Sequence, residues 1–198
     1  MSKKPFRVLC LFDYACTTGF STVSHAIVNN LRAHFKERIH LEIVAINYYG
    51  DPFWEDERTH VMGAAKIDPQ GDLYGRNEFM RIARYVDFDI IFMIQDIALL
   101  CMLGELYKLI KADRRKDNKK LAKLMAYFPV DSPPLEQFVT HLDAFDSLVT
   151  YTDYGKSEMC KIRPEWKTRI SVIPHGVNPK VLYPLDKGKV QKFRRDYF

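Results

Sequence analysis

The strongest constraint on the fold is an alternation of two hydrophobic patterns along the chain. Short runs that are almost entirely apolar, such as residues 8–12 and 90–94, are separated by stretches whose apolar residues recur every three or four positions. A continuous apolar run is typical of a strand covered on both faces, as in a parallel sheet. The longer period is typical of a helix with one buried face. The sequence therefore predicts an α/β fold with a Rossmann-like, mainly parallel, doubly wound sheet.

The predicted elements follow one another in a regular order. Apolar residues at helical spacing from Val23 to Phe35 predict the first helix, with Ser21 or Thr22 as its cap. Residues 47–60 mix aromatic residues with glycine, proline and charges, which indicates a long loop, and a turn is expected at 68–72. We predict strands at 7–12, 41–46, 90–94, 121–128, 147–152 and 169–174, and further helices around 79–86, 99–110, 137–145, 153–160 and 190–198.

Composition excludes several classes of protein. The chain has 198 residues, of which 47% are hydrophobic, which is enough for one substantial core. Its net charge of +5 mildly favours anionic partners, and no zinc-finger or RNP pattern points to nucleic acid. The four cysteines form no C-x-x-C pair, which indicates a reducing compartment. Without a signal-peptide core or a membrane-spanning run, we expect a cytoplasmic protein.

The loop after the first strand is a candidate phosphate-binding site. The first strand ends near Asp13, and Thr18, Gly19, Phe20 and Ser21 lead into the first helix. A helix N-terminus directs free N–H groups and a positive dipole at one point, and glycine permits close approach of a ligand. The other interpretation is an ordinary turn between a strand and a helix. Neither G-x-G-x-x-G nor a Walker motif is present, so both interpretations stay open.

The basic run from Lys111 to Lys120 also has two interpretations. Cations are favoured near the negative end of a helix, so the run is consistent with a solvated helix terminus. The other interpretation is docking to an anionic membrane or a polyphosphate, but the solvated terminus is favoured because charge runs are usually solvated.

Three ordered motifs give the chain a family resemblance. YFPVDSPPL (127–135), DAFDSLVTYTDYGKSEM (143–159) and RISVIPHGVNPKVLYPL (169–185) resemble, in this order, the N-terminal half of retaining family 4 glycosyltransferases of the GT-B fold. The resemblance covers most of the chain in element order, but only about its last third is specific to these motifs. It implies an enzyme that transfers a sugar from a nucleotide-sugar donor to a glycan, lipid or small-molecule acceptor, without a cofactor or a catalytic metal.

The resemblance also implies where ligands bind. The glycine loop would lie at the donor phosphates, and the remaining candidates would line the acceptor side of the cleft. Where many members of the family carry a histidine near the sugar, this chain has Gln95 and Asp96. The catalytic residue is therefore unassigned, with these two as candidates. The acceptor-side candidates are Asp13, Asp131, Thr152, Tyr154, His175 and Gly176. Asp13, Asp96 and Asp131 are also indicated by position, because each follows the end of a predicted strand, where ligands gather in open α/β sheets; a structural role is the alternative for each.

A GT-B enzyme needs a second domain that holds most of the donor. We expect residues 1–185 to form the N-terminal, acceptor-side domain and residues 186–198 to form a linker or the start of a C-terminal domain. The chain alone would then be almost inactive. The alternative is a non-catalytic Rossmann-like binding module that acts with a partner subunit.

Overall fold

The structure, a computed structural model, describes residues 4–64, 72 and 74–198. The turn expected at 68–72 lies outside the described residues, except for Asp72. The described chain forms one eight-stranded sheet with helices on both faces. The strands are β1 (Phe6–Asp13), β2 (Ile39–Ile46), β3 (Phe53–Asp56), β4 (Thr59–Gly63), β5 (Ile90–Ile94), β6 (Lys123–Phe128), β7 (Ser147–Thr150) and β8 (Ile170–Val172); the α-helices are α1 (Gly19–Phe35), α2 (Arg76–Tyr85), α3 (Ile97–Lys116), α4 (Asp153–Ile162) and α5 (Lys187–Tyr197).

The strand order across the sheet is β3-β4-β2-β1-β5-β6-β7-β8. All neighbouring strands are parallel except the β3–β4 pair, which is antiparallel. The predicted α/β class with a mainly parallel, Rossmann-like sheet is confirmed. From β1 the chain first builds the sheet in one direction, through β2, and later returns to build it in the other, from β5. The boundary between β1 and β5 is thus the point where the winding direction reverses, and ligands gather at the carboxyl ends of strands at such points.

Two hydrophobic cores cover the two faces of the sheet. Successive residues of a strand point to opposite faces, so β1 contributes Leu9 and Leu11 to one core and Cys10 and Phe12 to the other. The first core is closed by α2, α3, α4 and the turns between β6 and β7, and the second by α1. This explains why β1 is apolar without alternation.

Helix α1 begins four residues earlier than its apolar spacing predicts. The capping prediction was wrong: Thr18 is the cap, and its hydroxyl accepts a hydrogen bond from the Ser21 backbone N–H at 3.1 Å. Ser21 is instead buried in the first turn. The predicted apolar face is confirmed except at Ala26, which is exposed: Val23, Ile27, Leu31 and Phe35 pack against the second core, together with the fully buried Val28.

Residues 47–60 form a hairpin rather than only a loop. β3 and β4 pair there, and β4 continues the sheet beside β2. Tyr48 and Phe53 pack edge to face at 5.7 Å, and the Tyr48 hydroxyl donates to the Asp51 carbonyl. The mixture of aromatic and charged residues masked the strands, because one face of this edge hairpin is exposed.

The helix predicted over 137–145 is also wrong. The segment forms two 3-10 turns, Glu136–Phe138 and Leu142–Ala144. Val139, Leu142 and Phe145 are all buried. Their spacing of three places them on one side of a 3-10 turn, where side chains three apart eclipse.

Helix α2 is positioned by a residue outside it. The Asp72 carboxylate accepts from the backbone N–H groups of Arg76 and Asn77, each at 2.8 Å. Gly75 precedes the helix with φ +69°, and a Cβ there would come within 3.0 Å of Leu11 and Val44. This position therefore requires glycine both for its backbone conformation and for space.

Among the described residues, no helix has the length and apolar character needed to cross a membrane.

Candidate functional site

We call the carboxyl ends of β1, β5, β6 and β7, with the residues that follow them, the crevice, because ligands of open α/β sheets bind in a crevice at this place. The residues that follow these strands include Gln95 and Asp96 after β5 and Tyr151 after β7. Asp13 ends β1, and Asp131 lies in the loop after β6. The crevice is therefore assembled from segments that are more than 100 residues apart in the sequence, at the reversal point of the sheet.

Asp13 holds the floor of the crevice together. Its side chain is 4% exposed and accepts three hydrogen bonds. One carboxylate oxygen accepts from the Thr18 hydroxyl at 2.6 Å and from the Asn47 amide at 3.2 Å, and the other accepts from the Gln95 amide at 3.2 Å. The carboxylate thus joins the glycine loop, the end of β2 and the end of β5, which makes Asp13 a positioning residue.

The N-terminus of α1 opens onto the crevice. Thr18 satisfies one backbone N–H of the first turn while its own hydroxyl donates to Asp13. A Cβ placed on Gly19 would meet nothing within 4 Å, and Gly19 is not among the glycines with positive φ. Neither backbone conformation nor packing therefore requires glycine here. Because Gly19 has no side chain, the N-terminus of α1 stays open to an incoming group.

Asp96 and Asp131 form an acidic pair at the mouth of the crevice. Both carboxylates are exposed. Partial burial, followed by repulsion from Asp131 and Asp13, raises the pKa of Asp96 above its ordinary value. Asp96 is the residue before α3, but its side chain makes no capping hydrogen bond to the helix. Its carboxylate is thus available to accept a hydrogen bond from a ligand.

An aromatic group lies beside the acidic pair. The rings of Tyr151 and His175 are 3.8 Å apart, and the Tyr127 ring lies 4.4 Å from Tyr151 and 5.6 Å from His175. The Tyr127 hydroxyl donates to the Ile173 carbonyl at 2.7 Å, which anchors the backbone before His175. Burial lowers the pKa of His175, so its imidazole is neutral at pH 7.

The Tyr151 hydroxyl lies within electrostatic reach of the acidic pair. Its oxygen is shielded from solvent and has no hydrogen-bond partner among the described residues. Burial raises the pKa of Tyr151, and the neighbouring Tyr127, Asp96 and Asp131 raise it further. The aromatic rings and the carboxylates are therefore parts of one group.

One of the predicted acceptor-side residues, Thr152, has a structural role. The Thr152 hydroxyl caps α4 by accepting from the Gly155 backbone N–H at 3.0 Å. Gly155 lies so close to the sheet that a Cβ there would come within 2.5 Å of the Thr150 hydroxyl. Tyr154 is half exposed on the first turn of α4, and no ring contact joins it to the aromatic group in the described part of the chain. Gly176 is exposed, with open space around it.

Three residues of the crevice escaped sequence analysis: Asn47, Tyr127 and Tyr151. Asn47 follows β2 with φ +60°, a conformation that asparagine tolerates better than most residues, so a polar residue directly after a strand is the signal that was available. The two tyrosines end a strand or follow one, where the rule that predicts the aspartates applies equally to aromatic residues.

Within residues 4–64, 72 and 74–198, no three His, Cys, Asp or Glu side chains are grouped in a way that could hold a metal ion.

No protein-family model matches the chain, and no curated protein is significantly similar to it in sequence.

Proposed function

We propose that the chain is the acceptor-side half of a retaining GT-B glycosyltransferase that uses a nucleotide-sugar donor. One observation carries the proposal. The glycine loop and the Gln95-Asp96 pair meet through Asp13 at the reversal point of the sheet, and the turn around His175 packs on the aromatic group at the ends of β6 and β7. All three segments are ones that the motif resemblance implies at the cleft. Ligands of parallel α/β sheets bind at this point.

The described groups fit the two tasks of sugar transfer unequally. The free N–H groups at the start of α1 are suited to the developing charge on a leaving diphosphate. The Asp96 carboxylate is suited to hold an acceptor hydroxyl, and the rings of Tyr151 and His175 offer an apolar surface for a sugar face. The charged neighbours that shift the pKa of Asp96 are both carboxylates. A second domain would have to provide the cations for the diphosphate, as the resemblance implies.

The donor arm of the proposal is tested with Gly19→Leu. Because no atom lies within 4 Å of a Cβ at this position, a larger side chain is accommodated by the fold but blocks the helix end. Ala26→Leu, on the exposed face of the same helix, is the matched control. In titrations of ¹⁵N-labelled chain with UDP-glucose and GDP-mannose, we expect shifts at the amides of residues 18–21 and 95–96. The Gly19 variant should bind at least about tenfold more weakly, a loss of about 1.4 kcal/mol, and the control should be unchanged.

Two results would count against this proposal. Equal binding by the Gly19 variant and the control would remove the donor phosphates from the helix end. Rapid release of nucleoside diphosphate by residues 1–198 alone would contradict the division of labour between two domains.

A non-catalytic binding module is the second candidate. It is favoured by the acidic surroundings of Asp96, which suit a neutral saccharide better than a diphosphate. Binding of saccharides such as maltose or sucrose, with no amide shift at residues 18–21 for either nucleotide sugar, would support the module over the enzyme.

A further inference from the structure

The chain ends in a segment that leaves its apolar side chains exposed. We call residues 177–198 the C-terminal segment. Every residue of α5 is described, and none is buried. Monomeric proteins rarely expose contiguous apolar patches of this kind unless they bind another surface. The large apolar side chains of the segment that are more than half exposed are those of Val177, Val181, Leu182, Tyr183, Leu185, Phe193, Tyr197 and Phe198.

The same segment carries most of the net charge of the chain. It contains six Lys and Arg residues against two Asp, a net charge of +4. The other 176 residues contain 24 Lys and Arg against 23 Asp and Glu, a net charge of +1. The exposed apolar side chains therefore coincide with a strongly basic part of the sequence. The charged residues are Lys180, Asp186, Lys187, Lys189, Lys192, Arg194, Arg195 and Asp196.

Helix α5 sorts these residues onto two faces. Val190, Phe193 and Tyr197 are spaced three and four residues apart, which places them on one side of a helix. The Phe193 and Tyr197 rings pack at 4.7 Å, so the apolar stripe is continuous. At 3.6 residues per turn, Lys189 and Arg194 border this stripe. An aromatic stripe bordered by cations is typical of helices that lie in the interface of a membrane.

We propose that the C-terminal segment binds the surface of an anionic lipid bilayer. The stripe of α5 and the exposed side chains before it enter the headgroup region, and the bordering cations pair with anionic headgroups. A nucleic acid offers no apolar partner for Val181, Leu182 or Leu185. Two copies of the chain that met through this segment would bring together two like charges of +4.

The basic run from Lys111 to Lys120 is a weaker candidate for the same contact. Several of its cations are engaged by the chain itself: Arg114 is buried, Lys119 pairs with Asp117 at 3.1 Å, and Lys120 pairs with Asp89. Arg115 and Lys116, in the last turn of α3, are exposed. They provide a matched pair of adjacent cations for comparison with Arg194 and Arg195.

The position of the segment bears on the acceptor. The segment leaves the sheet beside the crevice, where the Tyr127 hydroxyl holds the Ile173 carbonyl and His175 packs on Tyr151. The segment begins two residues after His175, so a bilayer bound by it is tethered to the His175 turn through the chain. If the proposed function holds, on which this step rests, the acceptor hydroxyl belongs to a membrane lipid.

The test is co-sedimentation of the 198-residue chain with vesicles. We expect binding to vesicles of phosphatidylcholine and phosphatidylglycerol and little binding to phosphatidylcholine alone. Each cation near an anionic surface contributes about fivefold to binding, and of this pair only Arg194 borders the stripe, so the Arg194→Gln/Arg195→Gln variant should bind about fivefold more weakly. The Phe193→Ser/Tyr197→Ser variant should also lose at least about tenfold. The control, Arg115→Gln/Lys116→Gln, should bind like the unaltered chain, and circular dichroism should show all variants folded.

Three results would overturn the membrane proposal: no binding to anionic vesicles, equal losses in the control and the Arg194/Arg195 variant, or a dimer in light scattering that the Phe193/Tyr197 variant abolishes. The assay needs no enzymatic activity. Vesicle binding without sugar transfer would leave this inference standing and count against the proposed function. Transfer to a water-soluble acceptor without vesicle binding would do the reverse.

Discussion

At the scale of single residues, the ionised Asp96 carboxylate lowers the stability of the fold. Its raised pKa means that the ionised carboxylate is less favourable in the folded chain than in the unfolded one. The corresponding stability is present below the unfolded value of 3.8 and is lost as the pH rises through the higher folded value. Charged groups that are costly in this way are frequent at functional sites.

Asp96→Asn is therefore expected to stabilise the fold at pH 7. Because Asp96 is exposed, the gain should be at most about 1 kcal/mol, or about 2–4 °C in the thermal midpoint. The gain should shrink as the pH falls toward the unfolded value of 3.8, where the carboxyl group is neutral in both states. Thermal unfolding of both proteins across this pH range measures it. Asp117→Asn, which removes the partner of Lys119, should show no gain. A variant no more stable than the unaltered chain at pH 7 would contradict this account.

The sequence identifies some residues of the crevice and misses others for a physical reason. Asp13, Asp96 and Asp131 were found because the ends of parallel strands meet at one edge of a sheet. The contact between the Tyr127 and Tyr151 rings depends on the pairing of β6 with β7, which places Tyr127 beside Val149. No local pattern encodes this register. The loop between β1 and α1 lies where the sequence predicts a turn from strand to helix, but its capping residue was predicted wrongly.

At the scale of elements, Arg114 links the end of α2 to the end of α3 and to the segment before β6. It lies near the C-terminus of α3, is 3% exposed, and donates to the carbonyls of Ala83, Arg84 and Val86 at the end of α2. It also donates to the Lys120 carbonyl before β6 and pairs with Asp87. One guanidinium thus satisfies backbone carbonyls at the C-terminus of α2 and in the segment between α3 and β6.

Arg114→Lys is expected to destabilise the chain by roughly 3 kcal/mol, because an ammonium cannot reproduce the fork of N–H donors and leaves buried carbonyls unpaired. Arg115→Lys, one residue further on the exposed side of α3, is the matched control and should change the free energy of unfolding by less than about 0.5 kcal/mol. Urea unfolding of the two variants measures the difference. Similar midpoints would show that the carbonyls of α2 find other partners.

The elements that were predicted correctly have strong, uniform patterns. The apolar runs of β1 and β5 and the buried face of α2 were all found from spacing. The β3–β4 hairpin and the 3-10 turns between β6 and β7 were missed. Both lie where tertiary packing, rather than local periodicity, decides the backbone: at a half-exposed sheet edge and against the surface of α3.

At the scale of the whole molecule, the C-terminal segment differs in burial from the rest of the described chain, which we call the body. The body buries two cores, whereas α5 buries none of its residues. Removal of residues 186–198 should therefore leave the thermal midpoint within about 2 °C of that of the full chain, which corresponds to less than about 1 kcal/mol. Differential scanning calorimetry of the two chains provides the measurement. A fall of many degrees would mean that α5 packs on the body.

The class of fold could be predicted from the sequence, but the order of the strands across the sheet could not. Apolar spacing identifies which segments are strands, but strand order follows from crossover geometry and from which face each helix covers. Only the motif resemblance led to the expectation that the glycine loop and the His175 turn face one cleft, and this stays a prediction.

The three hydrogen bonds of Asp13 have a consequence for how the crevice fluctuates. The glycine loop cannot separate from β1 without breaking the bond from Thr18, and the same carboxylate holds Asn47 and Gln95. Loss of the carboxylate's position would release all three segments together. Amide exchange at these segments should therefore occur as one cooperative opening with a shared free energy, although they are far apart in sequence.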